Sequence, residues 1–131
     1  MCIFCKIIAG EIPCSKIYED ENSLAFLDIK PVNPGHTLVI TKKHYQDIEE
    51  IPAEELAALI TSVKRVGELI KSKLKVEAYN ILENNGPSAG QIIPHLHFHV
   101  VPRYPDDGLS LWPSRNFEKE DFERIKNKLL S

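Results

Sequence analysis

The segment Pro94-His95-Leu96-His97-Phe98-His99-Val100-Val101 carries three of the chain's five histidines at every second position. Alternate side chains of a β-strand point to opposite faces. An extended segment therefore puts His95, His97 and His99 on one face and Leu96, Phe98 and Val100 on the other, in a core. Neighbouring histidines then stand roughly 6–7 Å apart at Cα and the outer two roughly 13 Å apart. All three can hardly bind one ion. A metal that takes His95 and leaves His97 and His99 for chemistry fits this geometry better than a three-histidine centre. A neutral imidazole is a competent nucleophile near physiological pH. With one ring N–H held by an acceptor, its other nitrogen can attack phosphorus and form a covalent phospho-histidine that water later releases. A second histidine can hold a proton against a phosphate oxygen. A pH-sensing patch is the competing reading at this point.

Cys2 and Cys5 form a C-x-x-C in "CIFC". A thioredoxin-like redox pair needs a preceding strand, and position 2 offers none. A tetrahedral metal site needs two more ligands. His44, closing "TKKH", and His95 can supply them if their strands are neighbours. Such a set would lock the N-terminal segment to the sheet and add the metal's binding energy to folding. Cys14 falls outside it. The loop "NNGPSAGQ" before the histidine segment offers backbone N–H groups and the amides of Asn84, Asn85 and Gln91 as a phosphate cradle; an ordinary connecting loop is the equal alternative.

These groups need a scaffold. "SKIYEDENSLAFLDI" reads as two short strands around the turn signal Asp20-Glu21-Asn22, and "HTLVIT" as a third, central strand after the loop "KPVNPG". Pro52 opens a long helix, with Leu56, Leu59, Ile60, Val63, Val66, Ile70 and Leu74 at helical spacing. Glu54 and Glu55 near its start and Lys71, Lys73 and Lys75 near its end match the helix dipole. "AYNILEN" is a fourth strand, "HLHFHVVPR" a fifth, and "EKEDFERIKNKLL" a terminal helix. The expected fold is α+β: a mainly antiparallel five-stranded sheet, one long helix and a C-terminal helix, in one domain over residues 1–131.

Composition sets the outer bounds. The chain is 43% hydrophobic and 27% charged, with a formal net charge of −3 and no basic block, which argues against a general nucleic-acid groove or an anionic-membrane surface. No segment approaches the ~20 apolar residues that span a bilayer, and the N-terminus is charged too early for a signal peptide. Three cysteines, an odd number, argue against a disulfide framework and for a reducing cytoplasm.

"HLHFHVV" matches the His-φ-His-φ-His-φ-φ motif (φ apolar) of the histidine triad family at every position. "CIFCKIIAGEIP", "YEDENSLAFLDIKPVNPGHTLVITKKH" and "NNGPSAGQIIPHLHFHVVPR" also resemble blocks of its Hint branch, together covering most of residues 2–103. The resemblance implies a small nucleotide hydrolase or transferase acting at a nucleotide's α-phosphate, working as a homodimer whose sheets join into one. It implies His97 as the nucleophile, His99 on the phosphate oxygens, and His36 as a fourth histidine that orders the triad. Asp28 corresponds to the acid on the ribose hydroxyls. Ile3, Phe4, Ile7, Phe26 and Ile29 correspond to the apolar pocket around a purine, each with plain core packing as its alternative. Asn84 and Gln91 correspond to amides near the phosphates, Gln91 within the catalytic set. Cys2, Cys5, His44 and His95 correspond to the ligands of one structural zinc ion.

One departure stands out. Many Hint-branch hydrolases carry a serine directly after the equivalent of Gln91, thought to help protonate the leaving group; here Ile92 follows. The implied activity is hydrolysis of purine nucleoside phosphoramidates at the P–N bond. A dinucleoside polyphosphate hydrolase is the alternative within the class. A nucleotide-binding adapter with little turnover and a zinc-stabilised structural domain are the alternatives outside it. By analogy, the stretch from Trp112 onward lies near the active site of a partner subunit.

Overall fold

The computed structural model describes residues 2–131. Five strands form one antiparallel sheet: β1 (Lys16–Glu19), β2 (Ser23–Leu27), β3 (Thr37–Thr41), β4 (Ala78–Glu83) and β5 (His97–Arg103), in the order β1-β2-β3-β5-β4. Three helices accompany it: α1 (Ile3–Ile8), α2 (Ala53–Leu74) and α3 (Lys119–Leu130). The α+β architecture expected from the hydrophobic pattern is the one observed.

The long helix covers one face of the sheet. Leu59, Val63, Val66 and Ile70 make a buried stripe at helical spacing against Ala25, Val39, Leu96, Phe98 and Val100. Ile60 and Leu74 lie on the flank of that stripe and are exposed, although their spacing put them with the core. Pro52 stands one residue before the helix, as its N-cap. On the other face Leu24, Phe26, Leu38 and Ile40 form a second cluster with Phe4 of α1. Helix α1 was not expected. It has six residues and no side-chain cap, and so short a helix has no stability of its own in water; it exists because Phe4 is buried against the sheet.

The register puts the histidines on this second face. His97 pairs with Ile40 and His99 with Leu38 across β3–β5, and directly paired residues project to the same side. The expected run of three histidines on one strand needs a correction, because β5 begins at His97. His95 lies just before it: its N–H donates to the Ile93 carbonyl, and the Leu96 N–H donates to Tyr45 rather than into the β3 ladder.

Gly35 joins the loop after β2 to His36. Its φ is +92°, and a Cβ there would stand 2.5 Å from Leu74 Cδ1 and 3.0 Å from Pro102 Cγ. Gly35→Ala is expected to cost about 1–3 kcal/mol through backbone strain and this crowding, read as a melting temperature several degrees lower. An unchanged melting temperature would show that the loop relaxes freely.

Candidate active site and metal centre

His97 is buried on β5. Its Nδ1–H donates to the His95 carbonyl at 2.7 Å, and since a carbonyl can only accept, Nε2 carries the lone pair. Phe4 packs edge-on against the ring, centroid to centroid 5.3 Å, and also touches Phe26. Burial pushes the His97 imidazole below its ordinary pKa despite the bond to the carbonyl, which keeps it neutral near pH 7. The site presents a desolvated, oriented base with one free nitrogen.

His99 takes its protonation from its neighbours. The Val32 N–H donates to His36 Nδ1 at 3.2 Å, so the proton of neutral His36 sits on Nε2. That Nε2–H donates in turn to His99 Nδ1 at 2.9 Å. His99 must then carry its own proton on Nε2, its second nitrogen. Asp28 Oδ2 stands 3.6 Å from His36 Nε2. Ligand atoms of Asp28, His36 and His99 lie within 4.8 Å of one another, yet this cluster is wired for a proton. Metal ligation through His36 Nε2 would drive its proton onto Nδ1, against the Val32 N–H.

Burial holds His99 down to about 4, with His97 and His36 adding to the effect, and burial lowers His36 as well. Both outweigh the pull of Asp28. In the unfolded chain these groups protonate near pH 6.5. Between about pH 6.5 and about pH 4 the unfolded state therefore binds more protons, and stability falls as the solution is acidified through that window. Denaturant unfolding at pH 7, 5.5 and 4.5 should show the loss, and a His99→Gln variant should show a shallower one. An equal slope in both proteins would remove His99 as a source.

A second group of side chains converges beneath the triad. His95 is fully buried, and its Nε2–H donates to the Thr41 carbonyl at 2.8 Å, leaving the Nδ1 lone pair free. Around that lone pair stand His44 Nδ1 at 3.2 Å, Cys2 Sγ at 3.5 Å and Cys5 Sγ at 3.7 Å, with Cys5 Sγ 3.3 Å from His44 Nδ1. A tetrahedron with zinc–nitrogen and zinc–sulfur bond lengths has edges of about 3.4 Å between nitrogens and about 3.6 Å between nitrogen and sulfur. The fit is close. Burial raises the Cys5 thiol above its usual range, with Cys2 adding to the shift. The expected set Cys2, Cys5, His44 and His95 can hold a metal ion.

The remaining expected residues divide. Phe4 and Phe26 are core residues under the histidines, and Ile7 packs at their edge. Ile3 and Ile29 are exposed, Ile29 at 91%, and are free to touch a ligand. Asn84 is half-buried, its amide against the Glu83 and Ala89 carbonyls. Gln91 is buried with its side chain already used: Nε2 donates to the Gln46 and Ile93 carbonyls, and Oε1 accepts from the Gly86 N–H. It braces the loop and offers no free donor. Ile92 is exposed at 89%.

Three groups escaped the sequence reading: the Val32 N–H, the Thr41 carbonyl and the His95 carbonyl. All are main-chain atoms, which carry no signature of residue type. The Asn33, Arg103 and Asp107 side chains that hold the Val32 loop were also missed. The i, i+4 charge pair Arg103 and Asp107 was the available clue.

The chain is similar to known proteins over most of its length. A family model described as HIT domain matches residues 9–106. An uncharacterized HIT-like protein of Methanocaldococcus jannaschii is 57% identical over 108 residues, 82% of this chain and 83% of that protein. An adenosine 5′-monophosphoramidase of Schizosaccharomyces pombe is 42% identical over 132 residues, covering 99% of this chain and 96% of its own. Among solved structures, a Zn-bound histidine triad family protein from Mycobacterium smegmatis superposes with a TM-score of 0.80 at 39% identity, over 98% of this chain and 92% of that one.

Proposed function

The chain belongs to the HIT-domain family, and from that premise we propose that it hydrolyses purine nucleoside phosphoramidates. The products are a nucleoside monophosphate and an amine. The observation that carries the reading is the wiring of His97, with Nδ1–H bound to a main-chain carbonyl and Nε2 free. The similar phosphoramidase of Schizosaccharomyces pombe supports the choice of bond.

The residues then act as follows. His97 Nε2 attacks the α-phosphorus, the P–N bond breaks, and the amine leaves with a proton drawn from solvent. The resulting nucleotidyl-histidine is cationic. Its Nδ1–H donates more strongly to the His95 carbonyl as the charge develops, which lowers the barrier without any reorganisation. His99 Nε2–H faces a non-bridging phosphate oxygen, and His36 keeps that proton in place. Water then attacks phosphorus and gives a proton back to solvent, the P–Nε2 bond breaks with its electron pair returning to His97 Nε2, and the released monophosphate keeps the water oxygen. Asp28 binds the ribose hydroxyls, with Ile3 and Ile29 exposed beside the base and Phe4, Ile7 and Phe26 packed behind them. Asn84 lies toward the phosphates, and Gln91 shapes the loop that carries them.

Zinc is the metal we assign to Cys2, Cys5, His44 and His95, one per subunit; such an ion supplies folding energy and a fixed main chain. Holding His95 in place also holds the carbonyl that orients His97. The proposal extends to a homodimer, supported by the free edge of β4, a strand that invites pairing. It takes residues 1–131 as one HIT domain working in the cytoplasm. Among the described residues no helix is long and apolar enough to cross a membrane.

The second reading, dinucleoside polyphosphate hydrolysis, draws on Ile92, which puts an apolar side chain where a proton donor is common. Adenosine 5′-phosphoramidate offered beside a diadenosine polyphosphate separates the two. Faster AMP release from the phosphoramidate supports the proposal, and the reverse order moves the assignment to the polyphosphate.

A further inference from the structure

The loop that fixes the His36 tautomer is itself clamped from the far end of β5. Asp107 is nearly buried, with 7% of its side chain exposed. Its Oδ2 accepts from Arg103 Nε at 2.8 Å and from Asn33 Nδ2 at 2.9 Å, and its Oδ1 accepts from Arg103 Nη2 at 3.0 Å. Asn33 Nδ2 also donates to the carbonyl of Pro102 at 2.9 Å. The Asn33 main chain in turn receives the His36 N–H at 3.1 Å. One residue earlier, the Val32 N–H points at His36 Nδ1.

We propose that Asn33, anchored by the Arg103–Asp107 pair, is a positioning residue that sets the tautomer of His36 and through it that of His99. The physical argument is short. A neutral imidazole in water exchanges between two tautomers, and a single backbone N–H aimed at Nδ1 selects the one protonated on Nε2. That aim depends on the Lys30–Gly35 loop, which contributes no core residue and has two prolines at its own disposal. Asp28 Oδ1 accepts from the Lys30 N–H at 2.9 Å and the Tyr104 O–H donates to the Pro34 carbonyl at 2.8 Å, at the loop's two ends; between them the Asn33 amide fastens it to β5 and Asp107. A charge-assisted, multiply bonded carboxylate is the rigid anchor such a clamp needs. When the clamp is lost, the Val32 N–H wanders, His36 samples both tautomers, and His99 loses its fixed Nε2–H.

The catalytic half of this inference rests on the hydrolase reading above; the tautomer half does not. The test is Asn33→Ala, followed by nitrogen-15 spectra of the histidine rings and by kinetics on adenosine 5′-phosphoramidate. In the wild type His36 and His99 should both show protonated Nε2 at neutral pH. In the variant the His36 ring nitrogens should move toward averaged shifts, and kcat should fall roughly ten- to hundredfold with KM within about threefold, the pattern of a misplaced catalytic group. Wild-type ring shifts in Asn33→Ala overturn the proposal even if the protein melts earlier, because a merely structural clamp changes melting alone. Changed shifts with unchanged kcat overturn the catalytic consequence. Absence of turnover in the wild type falls on the hydrolase reading, and the ring shifts still decide the tautomer. Should Asn33→Ala not fold, Asn33→Ser keeps a short donor, and smaller movement of the same signals is expected; none would overturn the proposal.

Discussion

Replacing His97 by alanine is expected to lower kcat for AMP release from adenosine 5′-phosphoramidate by on the order of 10³-fold or more, while the protein stays folded and still binds nucleotide. Loss of a covalent nucleophile removes the whole two-step route, and effects of that size are usual for such residues. The structure gives the reason for choosing His97 over its neighbours. His95 has both nitrogens committed, Nε2 to the Thr41 carbonyl and Nδ1 to the Cys2–Cys5–His44 cluster. His99 has Nδ1 committed to His36. His97 keeps Nε2 free, and burial keeps the ring neutral. The substitution removes a ring that packs edge-on against Phe4, so a melting temperature a few degrees lower is expected and should be measured alongside. Turnover that survives in the variant would exclude attack by His97. A wild type that binds nucleotide without turning over either substrate would point to an adapter.

Removing the metal should have the second largest effect. Analysis of the purified wild type should find close to one zinc per subunit, and Cys5→Ser should lose most of it. Chelation of the wild type, or the variant itself, should lose at least about 3 kcal/mol of stability, since the binding energy of a closed site is folding energy. The four ligands come from three places: the start of α1, the turn after β3 and the segment before β5. An ion held by them would tie α1 to the sheet in addition to the packing of Phe4. Turnover should fall with it, because the His95 main chain also carries the acceptor for His97. Full zinc occupancy in Cys5→Ser would sink the four-ligand assignment, and unchanged stability after chelation would sink the structural role.

The two experiments separate the readings that composition left open. A structural domain predicts the zinc result alone. A hydrolase predicts both.

Much of this is legible in the amino-acid order alone. Alternation in "HLHFHVV" separated Leu96, Phe98 and Val100, which are in the core, from the histidines opposite them. The stripe through Leu59, Val63, Val66 and Ile70 marked α2, because a helix that covers a sheet must show its period. The spacing of Cys2 and Cys5 asked for two more ligands, and His44 and His95 were the residues in reach. What periodicity missed was governed by other forces. Helix α1 carries no side-chain cap and is held from outside. His95 leaves the strand because its ring is drawn to the Thr41 carbonyl and the cysteines. Gln91, with the chemistry of a phosphate donor, turns out to be consumed by the Gly86, Gln46 and Ile93 main chain.

The sequence by itself determined which residue types are available, on which face of each element they lie, and therefore the class of chemistry. Those facts follow from covalent order and from the two periods of regular structure. Only the tertiary structure decided which nitrogen of each histidine holds a proton. For His95 and His99 the choice is made from distant segments, by the Thr41 carbonyl and the His36 ring; for His36 and His97 it is made by main-chain groups four and two residues away, the Val32 N–H and the His95 carbonyl, whose aim the fold sets. Every residue has the same backbone groups, so no pattern of side chains can announce where one of them will point.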